Sequence, residues 1–344
     1  MRLVAQRVVG PRLRGPAEVV EWLTAMQGQD LPGLLESVAL RTEGSDVASV
    51  RKAFDSGAIV RTWPMRGTLH AVAARDAAWL VELLAERPLR AMARRRRDLG
   101  LTDAHVDLAR STLVEALAGG GALARGALLD RWTEVGLDVT GGRGYHLLAL
   151  LAHERLTCLG PMLEQGQAFV LLDEWVPEQR RLGRDLDREA ALTELALRYL
   201  RSHGPASEAD LARWAGLPLR DVRAGIAGAG DALAHIEVEG TTYHLDPATP
   251  DLLAEHRDAA RRVLLLPGFD EIVLGYADRT ATIPPEHAAL VVPGGNGMFR
   301  PTVLEDGVAV GTWRWAGTGH ARGRTGEPFT SFSAAATARL AASG

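Results

Sequence analysis

Residues 188–246, "REAALTELALRYLRSHGPASEADLARWAGLPLRDVRAGIAGAGDALAHIEVEGTTYHLD", decide the fold of this chain. The first part carries apolar residues at three- and four-residue spacing and stops at a glycine, which is typical of an amphipathic helix. Ser207, with an aspartate three residues later, predicts the capped start of a second helix, and residues 218–230 predict a third. Alternating residues around Glu239-Gly240 then predict a β-hairpin. Three helices followed by a hairpin are the plan of a winged helix-turn-helix module.

The same order of elements recurs twice before this module. In residues 103–175, three helical segments precede two strands. In residues 15–72, three looser helical segments precede a strand pair around "PMRG", residues 64–67. No strict sequence period accompanies the recurrence. The pattern therefore predicts three tandem winged helix-turn-helix modules.

The chain changes character from about Arg262 onward. Residues 262–279 and 289–315 are predicted to be strand-rich, with turns at Asn296-Gly297 and Asp306-Gly307. We predict an α+β fold in which three winged-helix modules precede a small C-terminal β-rich unit. The expected boundaries are 1–75 for the first module, 76–180 for a helical connection and the second module, 181–250 for the third, and 251–344 for the β-rich unit.

Composition limits the class of protein. With 47% hydrophobic and 24% charged residues, the 344-residue chain is an ordinary globular protein with a sizeable core. It has no apolar run of about 18 residues and no secretory signal, so we expect no membrane span and a cytoplasmic location, on the nucleoid when DNA is bound. A net charge of −4 does not indicate a nucleic-acid binder. Nearly all the positive charge is arginine, because Lys52 is the only lysine.

The sequence lacks the usual signatures of metal and nucleophile chemistry. The ten histidines show no H-E-x-x-H or H-x3-H spacing, and neither a G-x-S-x-G elbow nor a P-loop is present, so we expect no metal and no cofactor. The single cysteine, Cys158, is predicted to be buried and inert. The best acid–base candidates are Asp270, Glu271 and Asp278. The alternative is that Asp270 caps a turn and Arg279 pairs with a neighbouring acid.

Basic residues are concentrated in two places. Residues 87–100, "RPLRAMARRRRDLG", predict an arginine-rich helix that is either a solvated face or a phosphate-binding surface with salt-dependent affinity. Its arginines are Arg87, Arg90, Arg94, Arg95, Arg96 and Arg97. In "VRTWPMRGTLH", residues 60–70, two arginines flank a hairpin tip that carries a tryptophan and a methionine. Such a tip is typical of a wing whose arginines bind phosphates and whose apolar side chains wedge between base steps. The alternative is that the tryptophan and methionine complete the core of the first module.

Four segments, taken together, carry a family resemblance. They are "MQGQD" (26–30), "RTWPMRGTLHAV" (61–72), "PGFDEIVLGYADR" (267–279) and "NGMFRPTVLEDGVAVGTWR" (296–314). In this order, and over nearly the whole chain, they resemble the AlkZ/YcaQ-like family of winged-helix DNA glycosylases. The resemblance implies three winged helices and a β-rich end around a concave DNA-binding surface. It also implies removal of alkylated purines, including bulky adducts and interstrand crosslinks in some members.

The resemblance further implies which residues are catalytic. One branch of the family uses a glutamine–any residue–glutamine motif, and another has aspartate in the second place. Gln27 and Gln29, at the end of the first predicted helical segment, match the first branch, although Gly28 stands between them where a larger residue is usual. The alternative is that the two glutamines are only solvated polar residues at a helix end. The expected DNA contacts come from these segments and from the arginine-rich helix: Arg61, Trp63, Met65, Arg66, His70, Arg94, Arg97, Arg279 and Arg300. The alternative for His70 is a strand histidine whose hydrogen bonds are satisfied within the protein.

Two neutral carboxamides suit one kind of glycosidic hydrolysis. The reaction passes through an oxocarbenium-like sugar that water attacks, and an N7-alkylated guanine already carries the positive charge that makes it a good leaving group. Carboxamide oxygens can accept a proton from the water or face the developing cation, so positioning and electrostatics replace a strong base. We therefore expect Gln27 and Gln29 to hold the water and stabilise the sugar cation.

Three further expectations concern the reaction and its alternatives. Lys52 is the only side-chain amine, with no neighbour arranged to lower its pKa, so a Schiff-base lyase step is not expected; the N-terminal amine stays open as a nucleophile. The expected partner is double-stranded DNA with alkylated bases, bound by a monomer without an obligate protein partner. The alternatives are a non-catalytic winged-helix regulator, or a glycosylase-like scaffold that only binds damaged DNA.

Overall fold

The computed structural model describes residues 1–295, 297–317 and 323–342 and combines helices with short strands, which confirms the α+β class. Within these residues, no helix is both long and apolar enough to cross a bilayer. The N-terminal elements are α1 (Arg2–Ala5), α2 (Pro16–Trp22), β1 (Met26–Gln27), α3 (Leu31–Arg41), α4 (Val47–Asp55), β2 (Ile59–Met65) and β3 (Thr68–Ala73).

The middle of the chain is mainly helical. Its elements are α5 (Ala77–Leu84), α6 (Glu86–Asp98), α7 (Asp103–Leu117), α8 (Arg125–Glu134), α9 (Arg143–His153), β4 (Thr157–Met162), β5 (Gln167–Leu171) and α10 (Leu172–Trp175). The arginine-rich segment is helical, as predicted, and forms α6.

Residues 188–245 follow the predicted order of three helices and a hairpin. These elements are α11 (Arg188–His203), α12 (Glu208–Ala215), α13 (Leu219–Ala229), β6 (Ala234–Val238) and β7 (Thr241–Leu245). Ser207 caps α12 in a capping box with Asp210, and Glu239-Gly240 forms the hairpin turn with positive φ at both residues. Both local predictions are therefore confirmed. The winged-helix description of the modules and the four domain boundaries stay predictions.

The C-terminal part is less rich in strands than predicted. It contains α14 (Thr249–Arg261), β8 (Leu264–Leu266), α15 (Glu271–Leu274), α16 (Ala288–Val291), β9 (Thr302–Glu305), β10 (Val308–Ala316), β11 (Gly323–Pro328) and α17 (Ala334–Ala341). The apolar run after Asp270 is a short helix because the Asp270 carboxylate accepts the Ile272 N–H and caps it. The turn at Asp306-Gly307 is confirmed, with positive φ at both residues; Asn296, in the other predicted turn, lies outside the described residues.

The hairpins of the first two modules are not separate. They join in one five-stranded sheet of order β1-β3-β2-β4-β5, in which β2 contacts β4 through Arg61 and Leu159. Val60, Met65 and Val72 on this sheet pack into the cluster that contains α11 and α12. The pairing of β2 with β4 covers one edge of each hairpin. Ile59 and Val60, which alternate along β2, pack into different hydrophobic clusters, so the side chains on both faces of β2 are buried. The C-terminal strands form a second sheet of order β11-β10-β9-β8.

Candidate functional site

The two glutamines lie on a strand edge and not at the helix end suggested by the sequence. Gln27 is the last residue of β1 and pairs with His70 of β3. The Gly28 N–H continues the ladder with a 2.8 Å hydrogen bond to the Leu69 carbonyl. The side chains of Gln27 and Gln29 hydrogen-bond to each other, whereas a Cβ atom at Gly28 would face Arg61.

The two carboxamides hold each other. Gln27 Nε2 donates to Gln29 Oε1 at 2.9 Å, and the backbone N–H of Gln29 donates to Gln27 Oε1 at 3.1 Å. A backbone N–H can only donate, so the second bond assigns the oxygen and nitrogen of the Gln27 amide. Gln27 is buried and Gln29 is exposed. Each side-chain oxygen keeps acceptor capacity, and within the described residues the Gln29 amide nitrogen donates to no other group.

Gly28 lies under the side chain of Arg61. A Cβ atom added to Gly28 would lie 3.3 Å from both Cγ and Cδ of Arg61 and 3.4 Å from the Ala71 nitrogen. The aliphatic stem of Arg61 therefore occupies the space of a larger residue at position 28. Together with the ladder bond at its own N–H, this contact holds the glycine in place despite its intrinsic freedom.

A buried carboxylate anchors the strand edge. Glu271 Oε1 accepts the Gln27 N–H at 3.1 Å, and Oε2 accepts the indole N–H of Trp214 at 3.2 Å. His203 Nε2 lies 3.5 Å from the same Oε2 atom. Glu271 is 1% exposed, so it joins β1, α12 and the end of α11 at one buried point.

His70 and Arg66 lie on the same side of the sheet as the glutamines. Arg66 begins the β2–β3 turn at a φ of 56°, and its Nη2 donates to His70 Nε2 at 3.0 Å. The other ring nitrogen of His70 donates to the Thr68 carbonyl at 2.9 Å. Burial, and then the Arg66 charge, lower the pKa of His70 to about 3, so the ring is neutral and accepts from Arg66. His70 is fully buried with both ring nitrogens hydrogen-bonded, so the alternative of a satisfied strand histidine is correct and the predicted direct DNA contact is wrong.

The predicted apolar wedge is wrong for this structure. Trp63 is 2% exposed and Met65 is 0% exposed. Trp63 donates to the Tyr145 hydroxyl at 3.3 Å and stacks on Phe169, in the core of the second module. Met65 packs in the core of the third helical unit. The alternative of core residues is correct, but neither side chain completes the first module, because the shared sheet carries them to other clusters.

The predicted arginines divide into buried and exposed ones. Arg61 is 8% exposed, and burial lowers its pKa to about 10. It lines a cavity of about 330 Å³ with Trp63 and Tyr145, and within the described residues it makes no ion pair. Arg94, Arg97 and Arg300 are exposed, and Arg300 Nη1 donates to the Leu290 carbonyl at 3.3 Å.

Arg279 is half-buried and unlike the exposed arginines. Its Nε donates to the Val273 carbonyl at 2.8 Å, and its guanidinium lies over the Phe299 ring. Burial, followed by the charges of Arg213 and Arg66, lowers the pKa of Arg279 to about 10. Among the described residues it pairs with no acid, so the alternative of an ion pair at Arg279 is wrong.

The other chemical candidates have structural roles. Asp270 is fully buried. Its carboxylate accepts hydrogen bonds from Arg41 at 2.8 and 2.9 Å and from the Ser37 hydroxyl at 2.7 Å. Burial alone would raise the pKa of Asp270, but the Arg41 charge and these hydrogen bonds outweigh it and hold the pKa below its ordinary value. Asp278 caps a local turn at the Thr280 N–H, and Cys158 is buried, as predicted. No three metal-ligating side chains are grouped within the described residues.

Comparison with known proteins assigns the family. The model of the DNA glycosylase AlkZ-like family matches residues 20–344. The chain belongs to this family. It is 29% identical in sequence to the interstrand DNA cross-link repair glycosylase of Streptomyces sahachiroi over 322 residues, which cover 88% of this chain and 83% of that protein. The solved structure of the Streptomyces sahachiroi DNA glycosylase AlkZ superposes with a TM-score of 0.75 at 26% identity, covering 96% of this chain and 90% of that one.

Two features of this DNA glycosylase were not found from its sequence. The sequence indicates Glu271 only as an acid–base candidate, because its bond to Gln27 spans 244 positions. Arg213 and Trp214 belong to an ordinary amphipathic helix, α12, and no local spacing connects them to the glutamines. The sequence contains one weak indication: Glu271 lies in the apolar run "FDEIVL", and an acid in such a run requires a buried partner.

Proposed function

We propose that this DNA glycosylase hydrolyses the N-glycosidic bond of alkylated purines in double-stranded DNA, with N7-alkylguanines as its substrate class. Gln27 and Gln29 are the proposed catalytic residues. The observation that carries this proposal is their mutual hydrogen bonding beside a neutral, buried His70. No general base of high proton affinity lies within that arrangement, so it suits a substrate whose leaving group already carries positive charge.

The geometry supports different roles for the two amides. Gln27 is fixed by its bond to Gln29 and by Glu271 behind its backbone, so its Oε1 atom presents a preorganised dipole. Gln29 is exposed and reaches the substrate side with a free amide group and the second lone pair of Oε1. In this arrangement the two oxygens orient the attacking water and stabilise the oxocarbenium-like sugar, while the departing N7-alkylguanine needs no acid.

The proposed substrates include bulky N7 adducts and interstrand crosslinks. The support is the relative that is named an interstrand DNA cross-link repair glycosylase and matches 88% of this chain. A crosslinked base cannot be extruded into a closed pocket, which favours an open site for such substrates. Exposed Arg94, Arg97 and Arg300, together with Arg66 and Arg279, are the proposed DNA contacts. The protein would act as a monomer on nucleoid DNA.

We further propose that the enzyme is monofunctional. Lys52, the only lysine, is exposed on α4, whereas Gln27 ends β1 and Gln29 follows two residues later. A lyase step requires an amine that attacks the sugar and forms a Schiff base. The expected product is therefore an abasic site with an intact strand.

Single-turnover excision tests this function. A labelled duplex with one N7-methylguanine is incubated with the wild type, Gln27→Ala, Gln29→Ala and the control Gln179→Ala, a buried glutamine in the segment after α10. We expect the wild type and control to release the base, and each motif variant to lose about 10²-fold or more in rate, as for a lost charge-stabilising group. Strand breaks should appear only after alkali.

The outcomes separate the alternatives. If the wild type binds but releases no N7-methylguanine, a bulky N7 adduct and a crosslinked duplex are tried next under the same conditions. Failure on all three substrates would overturn the proposed activity. Equal rates for the motif variants and the control would reject the roles of the glutamines.

A further inference from the structure

Two arginines from distant parts of the chain are fixed at the same short helix. Arg213, on α12, donates through Nη1 to the Tyr276 carbonyl at 3.3 Å. Arg279 donates through Nε to the Val273 carbonyl at 2.8 Å. These carbonyls are three residues apart at the end of α15, whose first residue holds the Gln27 backbone. The two guanidinium groups therefore lie at the C-terminal end of the helix that anchors the glutamine strand.

A third arginine reaches the same place from the β2–β3 turn. A Cβ atom added to Gly216, just after α12, would lie 3.6 Å from Cγ of Arg66, so the Arg66 stem passes over this loop. Arg66 is held there by neutral His70. The charge of Arg213 contributes to lowering the pKa values of Arg66 and Arg279, and the charge of Arg66 does the same to Arg279. The three side chains therefore form one cluster of like charge.

The charges of the cluster are not directly paired. Among the described residues, none of the three arginines forms an ion pair, although the charge of Glu271 acts on Arg66 and those of Asp210 and Asp278 act on Arg279. Arg66 Nε and Arg279 Nη2 are buried and have no hydrogen-bond partner. Arg213 is exposed, so the cluster opens to solvent on its side.

The acids that influence the cluster are engaged elsewhere. Glu271 accepts hydrogen bonds from Gln27 and Trp214. Asp210 accepts the backbone N–H groups of Ser207 and Ala277. Asp278 accepts the Thr280 N–H. Glu271 cannot turn to the arginines without leaving two buried donors unsatisfied, and Asp210 and Asp278 would each release backbone N–H groups.

We propose that Arg66, Arg213 and Arg279 form a binding site for one backbone phosphate of the damaged strand, the phosphate next to the nucleotide whose base is removed. Three mutually repelling guanidinium groups with unpartnered N–H donors are stabilised when an anion joins them. A phosphodiester offers two charged oxygens, and arginine suits their geometry. The site would hold the damaged sugar in register with Gln27 and Gln29.

The position of this phosphate depends on the proposed function, because it assumes that the damaged sugar faces the glutamines. Binding can nevertheless be measured without excision. A 2′-fluoro sugar destabilises the oxocarbenium ion and protects N7-methylguanine from release. Duplexes with this nucleotide then carry a single neutral methylphosphonate at each of the four nearest phosphates in turn.

Affinity for each duplex is measured with the wild type, Arg213→Gln and the control Arg110→Gln. Arg213 is exposed, so its replacement is expected to leave the fold intact, which thermal unfolding checks. Arg110 is paired with Asp107 and Glu154 and its charge is already compensated. In the wild type, we expect one methylphosphonate adjacent to the lesion to weaken binding about tenfold or more, as for lost charge-assisted hydrogen bonds. In Arg213→Gln the same methylphosphonate should weaken binding about threefold or less. In Arg110→Gln it should weaken binding as much as in the wild type.

Arg66→Gln and Arg279→Gln extend the test to the whole cluster. If each variant loses sensitivity at that same phosphate, one phosphate binds all three side chains. If no phosphate stands out, if the three variants respond at different phosphates, or if Arg213→Gln keeps full sensitivity, the site is rejected. These results are independent of base release, so a protein that shows the phosphate effect but excises nothing would reject the proposed function and keep the site.

Discussion

The backbone N–H of Gln27 donates a 3.1 Å hydrogen bond to Oε1 of Glu271, a residue that lies 244 positions later in the chain. The carboxylate is buried and also accepts from Trp214 on α12. The edge strand with the glutamines is thereby tied to the third helical unit and to the C-terminal unit at one point. Glu271 is thus positioned to orient Gln27 without touching the substrate itself.

We expect Glu271→Gln to slow single-turnover base release by about tenfold or more, because a small misplacement of a reacting group is costly. The substituted amide would present a donor toward Trp214 or toward the Gln27 N–H, so one of the two bonds is lost. The measurement is the excision rate in the wild-type and Gln27→Ala backgrounds. A positioning role predicts a large effect only when Gln27 is present.

Glu82→Gln is the matched control for this experiment. Glu82 also accepts a backbone N–H, that of Leu182, and pairs with Arg155 at 2.9 Å, but it belongs to α5. Its substitution should lower stability without changing excision. Equal slowing by Glu271→Gln in both backgrounds would contradict the positioning role.

The contact between Gly28 and Arg61 predicts a coupled pair of substitutions. Gly28→Leu should lower the free energy of unfolding by about 1–3 kcal/mol, because the new side chain meets the Arg61 stem in a packed site. Combined with Arg61→Ala, much of this cost should disappear, with a coupling of about 1 kcal/mol or more. Urea unfolding of the four proteins measures the cycle. An identical cost for Gly28→Leu in both backgrounds would show that Arg61 does not fill the space.

The Arg41–Asp270 pair predicts a large loss of stability. Both side chains are fully buried, and Arg41 contacts both carboxylate oxygens. Asp270→Asn should lower the free energy of unfolding by about 3–5 kcal/mol, because it leaves the Arg41 charge buried and unpaired. Denaturant unfolding at pH 7 checks the value, and Asp278→Asn, at a partly exposed turn, should change it little. A loss below about 1 kcal/mol for Asp270→Asn would mean that water or another group compensates Arg41.

The buried neutral ring of His70 predicts a pH dependence. Its pKa is about 3 in the folded protein, below the ordinary value of about 6.5 in an unfolded chain. Between these values the unfolded chain takes up a proton that the folded protein does not, so stability is full above about pH 6.5 and falls as the pH decreases.

The stability difference between the wild type and His70→Gln isolates this contribution. It should shrink by about 1.4 kcal/mol per pH unit below pH 6. The measurement is the unfolding free energy of both proteins at pH 7.5, 6.5 and 5.5. The contributions of the other histidines cancel in the difference because both proteins contain them. A difference independent of pH would show that the ring titrates equally in the folded and unfolded states.

Much of the local structure followed from the sequence alone. Helix starts such as Ser207, turns such as Glu239-Gly240 and the arginine-rich helix depend on neighbouring residues, so their signals are visible in a short window. The family resemblance rested on short motifs in the correct order, which is also a property of the sequence itself. The Gln-x-Gln motif and the DNA glycosylase family were reached in this way.

Tertiary structure decided the environment of these residues. Packing of the shared sheet against the second and third helical units buried Trp63 and Met65. The sequence allowed either an exposed wing tip or a core position for them, because pairing and packing between modules are long-range choices. The same packing brought Glu271 to Gln27 and gathered Arg66 with Arg213. Burial and charge interactions depend on distances in space, and no spacing along the chain specifies a contact across 244 positions.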